Sequence, residues 1–159
     1  MGDLILTNQQ RGSGRGEGKT ARASSVRKAK KAQDGLGARE TALAVSAAGL
    51  DKKALNIEII DVRGKVVYAD YVVIMSGRSD RQVNAIAQGV QRDLRTNHGV
   101  RCVSVEGLPQ GAWALMDFGD VVVHVFHEDT RGYYDLEALW IDAARLPLED
   151  DAPAAVTAD

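Results

Sequence analysis

Cysteine is almost missing from this chain: Cys102 is the single thiol among 159 residues. One thiol can form neither an intramolecular disulfide nor a thiolate metal cage, which fits a reducing compartment. Aromatic residues make up only 5%, and there are three prolines. No apolar run approaches the roughly 20 residues that span a bilayer. Leu4-Ile5-Leu6 is too short for a secretory h-region, and Leu6 stands where a myristoylation signal needs Ser or Thr. The expected location is the cytoplasm, away from membranes. What is present is 45% hydrophobic and 26% charged residues, enough for the core of one domain and too little for two.

The net charge of −2 conceals two opposed parts. Residues 1–37 hold eight Lys and Arg against three Asp and Glu, a balance of +5; residues 38–159 hold 12 against 19, a balance of −7. The basic stretch is built of Gly, Ser, Ala, Arg and Lys, with too few large apolar groups to offset the entropy of ordering. Residues 1–37 are therefore expected to be a disordered arm, 38–146 the folded domain, and 147–159 a disordered acidic tail. Such an arm can hold phosphates by releasing counterions, while an acidic body suits a basic protein partner better than bare nucleic acid. Ser13-Gly14-Arg15-Gly16-Glu17-Gly18-Lys19-Thr20 resembles a phosphate-binding loop. It lacks the first glycine, a strand before it and an apolar helix after it, so a flexible basic tail is the better reading.

From Ala38 the pattern becomes that of a layered domain. Leu43, Ala47, Leu50 and Ala54 recur at helical spacing. Asn56–Val62 reads as a strand closed by a turn at Arg63-Gly64-Lys65, and Tyr71–Met75 as a fully apolar strand. Ser79-Asp80-Arg81-Gln82 is a capping box that opens a helix with Val83, Ile86, Ala87, Val90 and Leu94 on one face and Gly99 as its stop. Val100–Val105 reads as the next strand, which makes the unit a βαβ crossover. A hairpin over Ala112–Phe126 turns at Phe118-Gly119, its second strand buried inside the sheet, and a helix follows to about Ala144. Gly132 weakens the start of that helix. The fold class is α/β (α+β), a mixed sheet of about five strands with flanking helices.

Candidate chemistry has to be weighed against plainer roles. Gly77-Arg78-Ser79, between a strand and a helix, resembles the Gly-Ser entry of nucleotidyltransferases and could cradle a phosphate. That chemistry needs a carboxylate pair on the following strand, and Cys102-Val103-Ser104-Val105-Glu106 has none, so a nucleotidyltransferase-like nucleotide-binding enzyme using Gly77 and Ser79 stands only as the alternative reading. His124 and His127 point to opposite faces of a strand, so they cannot share an ion while the strand continues, and His124 is expected to be a satisfied interior histidine. Asp61, Asp70, Asp117 and Asp120 lie near strand ends, where turn and cap roles suffice. Cys102 is expected to be a buried inert thiol. No catalytic residue, metal or cofactor is expected. The aromatics say more: Trp113, Phe118, Phe126, Tyr133, Tyr134 and Trp140 all fall in the last third of the chain. Aromatics bury large area at low entropic cost and anchor interfaces.

Several segments occur in a specific order: Asp51-Lys52-Lys53, Asp61-Val62-Arg63-Gly64, Ala69-Asp70-Tyr71, Gly77 to Val83, Val105-Glu106-Gly107, Trp113, Asp117 to Phe126, and Tyr134-Asp135-Leu136-Glu137 with Leu139-Trp140. Together they resemble the ribosomal silencing factor (Iojap-like) family over roughly Leu43 to Trp140, with the arm outside the family core. The resemblance implies a homodimeric, non-enzymatic translation repressor. It implies binding to the large ribosomal subunit through ribosomal protein uL14, and steric blocking of small-subunit joining. Trp113, Asp117, Asp120, Glu128, Tyr133, Tyr134 and Trp140 are then the expected surface or near-surface contributors to the partner site.

Overall fold

The computed structural model describes residues 36–148. The basic arm up to residue 35, its phosphate-loop resemblance and the acidic tail from residue 149 lie outside these residues. Helix α1 spans Ala38–Asp51, followed by strands β1 (Leu55–Asp61) and β2 (Tyr71–Gly77) and by helix α2 (Asp80–His98). Strands β3 (Ser104–Glu106), β4 (Trp113–Asp117) and β5 (Val121–His127) come next, then helix α3 (Glu128–Tyr134), a 3-10 turn (Leu136–Trp140) and β6 (Arg145–Leu146).

The six strands form one mixed sheet in the order β3-β4-β5-β2-β1-β6. All seven residues of β2 are buried, as its unbroken apolar run requires of a strand covered on both faces. β2 pairs in parallel with β5, from Tyr71 opposite Val121 to Gly77 opposite His127, and the other ladders are antiparallel. β3 is an edge strand of three exposed residues, shorter than the expected Val100–Val105. Val100 is buried from the loop before it, while Cys102 is half-buried and packs against the core. The expected crossover therefore spans two intervening strands, because the parallel neighbour of β2 is β5.

One face of the sheet carries α1 and α2. The capping box forms: Ser79 Oγ accepts from the Gln82 amide at 3.1 Å, and Gln82 Oε1 accepts from the Arg78 amide at 2.6 Å. Val83, Ile86, Ala87, Val90 and Leu94 are then all at 0% exposure, and Gly99 ends the helix at φ +68°. In α1 the buried stripe is Ala42, Val45, Ala48 and Gly49; of the expected Leu43, Ala47, Leu50 and Ala54, Ala54 is buried, Leu43 is half-buried against the core, Leu50 is half-buried and Ala47 is exposed. Small residues win that face because the helix sits tight on β2, where a side chain at Gly49 would collide with Met75. Leu36 and Leu148, just outside the expected domain limits, also pack against this core.

The opposite face is covered more thinly. The helix expected to run to about Ala144 is instead two short pieces, broken at Asp135, whose φ of +48° is left-handed. Arg131 and Trp140 are the two buried residues of these pieces. In one continuous helix they would lie about 180° apart, since each residue turns about 100°. The break lets both face the sheet.

Candidate functional site

The register of the sheet assembles an aromatic face opposite α1 and α2. Trp113 on β4 stands across from Phe126 on β5, and Leu115 stands across from His124. The Trp113 ring lies 4.7 Å from that of Phe126 and 5.9 Å from that of His124. Its indole Nε1 donates to His124 Nδ1 at 3.1 Å, which places the imidazole hydrogen on Nε2. Burial pulls the His124 pKa down from 6.5 to about 4, so the ring is neutral near pH 7. His124 is thus the satisfied histidine expected. Gly107 fixes the approach to Trp113: its φ is +93°, and a Cβ there would strike the Trp113 carbonyl oxygen.

Helix α3 begins where β5 ends. His127 is its N-cap, with Nδ1 accepting from the Asp129 amide at 3.2 Å. The helix carries Tyr134 to 4.8 Å from Trp113, and Tyr133 stands edge-on to Tyr134 at 5.0 Å. Tyr133 is 82% exposed, Tyr134 52%, Leu139 67% and Ile141 83%, so large apolar groups stand in solvent along one short segment. Between residues 128 and 142 the exposed charges, Glu128, Asp129, Asp135 and Asp142, are all acidic. The one cation of that stretch, Arg131, is buried and its guanidinium meets Glu137 at 2.7 Å.

The structure divides the expected contact residues. Trp113, Glu128, Tyr133 and Tyr134 come together at one end of β4 and β5. Asp117 and Asp120 lie at the other end, about 13 Å away along β4. Asp117 Oδ1 accepts from the Gly119 amide at 2.8 Å, a turn role. Asp120 is buried, and its carbonyl accepts from the Asp70 and Tyr71 amides. Trp140 is buried with Ile60, Val62, Val72, Ile74 and Phe126, so it supports this face from beneath instead of presenting an anchor. Asp120 and Trp140, expected at or near the surface, are buried, so neither side chain stands out as a contact group.

The remaining candidates resolve into local roles. A Cβ at Gly77 would meet Val83 Cγ2 at 3.0 Å, so this glycine permits the tight strand-to-helix entry, and the Arg78 amide is taken by Gln82. Among the described residues no cluster of His, Cys, Asp and Glu is arranged to hold a metal ion. Asp61 closes its turn by accepting from the Arg63 guanidinium at 2.6 Å, which holds its pKa below the usual carboxylate range. Cys102 is half-buried, and burial pushes its pKa up. Arg131 and the exposed Ile141 were not singled out by the sequence; a lone Arg in a polar break carries no periodic signal of burial.

The profile of the family described as "Ribosomal silencing factor during starvation" matches residues 36–159. The ribosomal silencing factor of Bacillus subtilis is 47% identical over 100 residues, covering 63% of this chain and 81% of that protein. The one from Halalkalibacterium halodurans is 44% identical over 107 residues, covering 67% and 90%. A crystal structure of a Chromobacterium violaceum protein superposes with a TM-score of 0.65 at 35% identity, covering 72% of this chain and 93% of that one.

Proposed function

We propose, from the premise that this chain belongs to the ribosomal silencing factor family, that its aromatic face docks on the large ribosomal subunit through ribosomal protein uL14. So placed, the body occupies the joining surface, keeps the small subunit away and represses translation in the cytoplasm. The observation that carries this reading is the composition of the face. Tyr133, Tyr134, Leu139 and Ile141 are exposed large apolar groups, and every exposed charge between residues 128 and 142 is acidic. Apolar anchors supply affinity once desolvated, and acidic groups around them steer a basic partner into register. Steric exclusion asks for no catalytic group.

Titration of the purified protein against isolated uL14 at low and high salt tests the contact. Saturable binding that weakens with salt supports it, and no binding at either salt rejects uL14 as the partner. The free protein is expected to be a homodimer, and sedimentation equilibrium checks that directly. The arm is expected to add rRNA contact, so its deletion should lower the salt dependence of ribosome binding.

A further inference from the structure

Helix α3 has seven residues, includes Gly132, and is followed by a five-residue 3-10 turn. Helices this short do not hold themselves together in water. From Glu128 to Trp140 only Arg131 and Trp140 are buried, with Leu136 half-buried against the same cluster as Trp140, so the segment that exposes Tyr133, Tyr134 and Leu139 is held by few side chains.

Arg131 ties it to three elements at once. Nη1 donates to the Asn56 carbonyl at 2.6 Å and to Ser76 Oγ at 2.9 Å. Asn56 sits at the β1 bulge with a φ of +51°, where a carbonyl can leave the ladder and face a new donor. Nε and Nη2 each lie 2.7 Å from Glu137 Oε2, and Nη2 lies 3.6 Å from Glu58 Oε2. Glu58 in turn accepts from Arg145 Nε at 3.1 Å, and Arg145 Nη1 donates to the Trp140 and Ala143 carbonyls. Strands β1 and β2, both short helices and the entry to β6 thus meet at one network whose hub is a buried planar fork.

We propose that Arg131 is the positioning residue of the docking surface: its guanidinium holds α3 and the 3-10 turn on β1 and β2, so that Tyr133, Tyr134 and Leu139 stand out as one rigid patch. The proposal rests on the docking role argued above. The fork is essential, because Lys supplies a point charge that cannot meet Asn56, Ser76 and Glu137 together.

The test uses the full chain with Arg131→Met, Arg131→Lys, Tyr134→Ala and the Arg131→Lys/Tyr134→Ala pair. Large-subunit binding and amide hydrogen exchange are measured on each. Arg131→Lys keeps a cation against Glu137 and serves if Arg131→Met does not fold. The expected result is roughly tenfold weaker binding for the Arg131 variants and faster exchange over 132–140, with β2 and β5 still protected. The paired variant should bind no worse than its weaker parent, because both changes act on one patch. Normal binding with unchanged exchange overturns the proposal. So does equal loss of protection in β2 and β5, which would make Arg131 a general fold residue. If the unaltered protein does not bind the large subunit, the docking role fails, and exchange over 132–140 alone decides whether Arg131 positions the segment.

Discussion

On the face under α1 and α2, Val45, Ile86, Val90 and Leu94 pack against Val73, Met75, Val123 and Val125, all at 0% exposure. On the opposite face a smaller apolar cluster of Ile60, Val62, Val72, Ile74, Phe126 and Trp140 is buried, but toward α3 Trp113 and His124 are only half-buried, Tyr133 and Tyr134 stand in solvent, and the buried Arg131 ties the short helix to the sheet. Apolar burial is non-directional and supplies stability wherever it is dense. Buried ion pairs contribute less net stability than dense apolar packing, so the α3 segment is expected to open more easily than α1 and α2. On the proposed reading, the side under α1 and α2 carries the larger share of the stability and the opposite side carries the docking surface.

The strongest way to break this comparison is to cut into the first face. Leu94→Ala should cost about 2–5 kcal/mol in a urea denaturation series, because it leaves a cavity beside fully buried neighbours. Binding per folded molecule should stay unchanged. Tyr134→Ala should do the reverse, costing about 2 kcal/mol of binding free energy while leaving the denaturation midpoint nearly in place. A large stability loss from Tyr134→Ala would erase the division between the faces.

His124 gives a milder probe through pH. Its folded pKa of about 4 lies below the ordinary 6.5, so the unfolded chain takes up this proton first. Its contribution is full above pH 6.5 and is lost as pH falls toward 4, with a slope of at most about 1.4 kcal/mol per unit. Partial exposure of the ring reduces that slope. Thermal unfolding at pH 7 and pH 5 should show the loss, and His124→Gln should flatten it. Glu128→Lys is expected to have the smallest effect, a change of roughly a few fold in association rate, larger at low salt. An unchanged rate would show that the acidic groups do not steer the encounter.

Much of the first face was legible in the sequence, because apolar periodicity reports burial directly. The Val83 to Leu94 stripe, the capping box, the Gly99 stop and the buried run of β2 all lie where their patterns place them, and β5 lies inside the sheet with one face buried and the other partly open. The α1 stripe was misplaced because leucines outweigh alanines on any hydrophobicity count, whereas close approach to Met75 selects small residues. The second face was legible as a region but not residue by residue. Its decisive contacts join Arg131 to Asn56 and Ser76, partners 75 and 55 residues away, and no local pattern encodes them. Trp140 and Tyr134 look alike as isolated aromatics. Only the break at Asp135 sends one inward and leaves the other exposed.

The most direct measurement is co-sedimentation of the purified protein with separated large and small ribosomal subunits, followed by a subunit-joining assay. The account predicts binding to the large subunit alone and fewer joined ribosomes, with both effects reduced by Tyr134→Ala. Binding to the small subunit, or large-subunit binding that leaves joining unaffected, would contradict it.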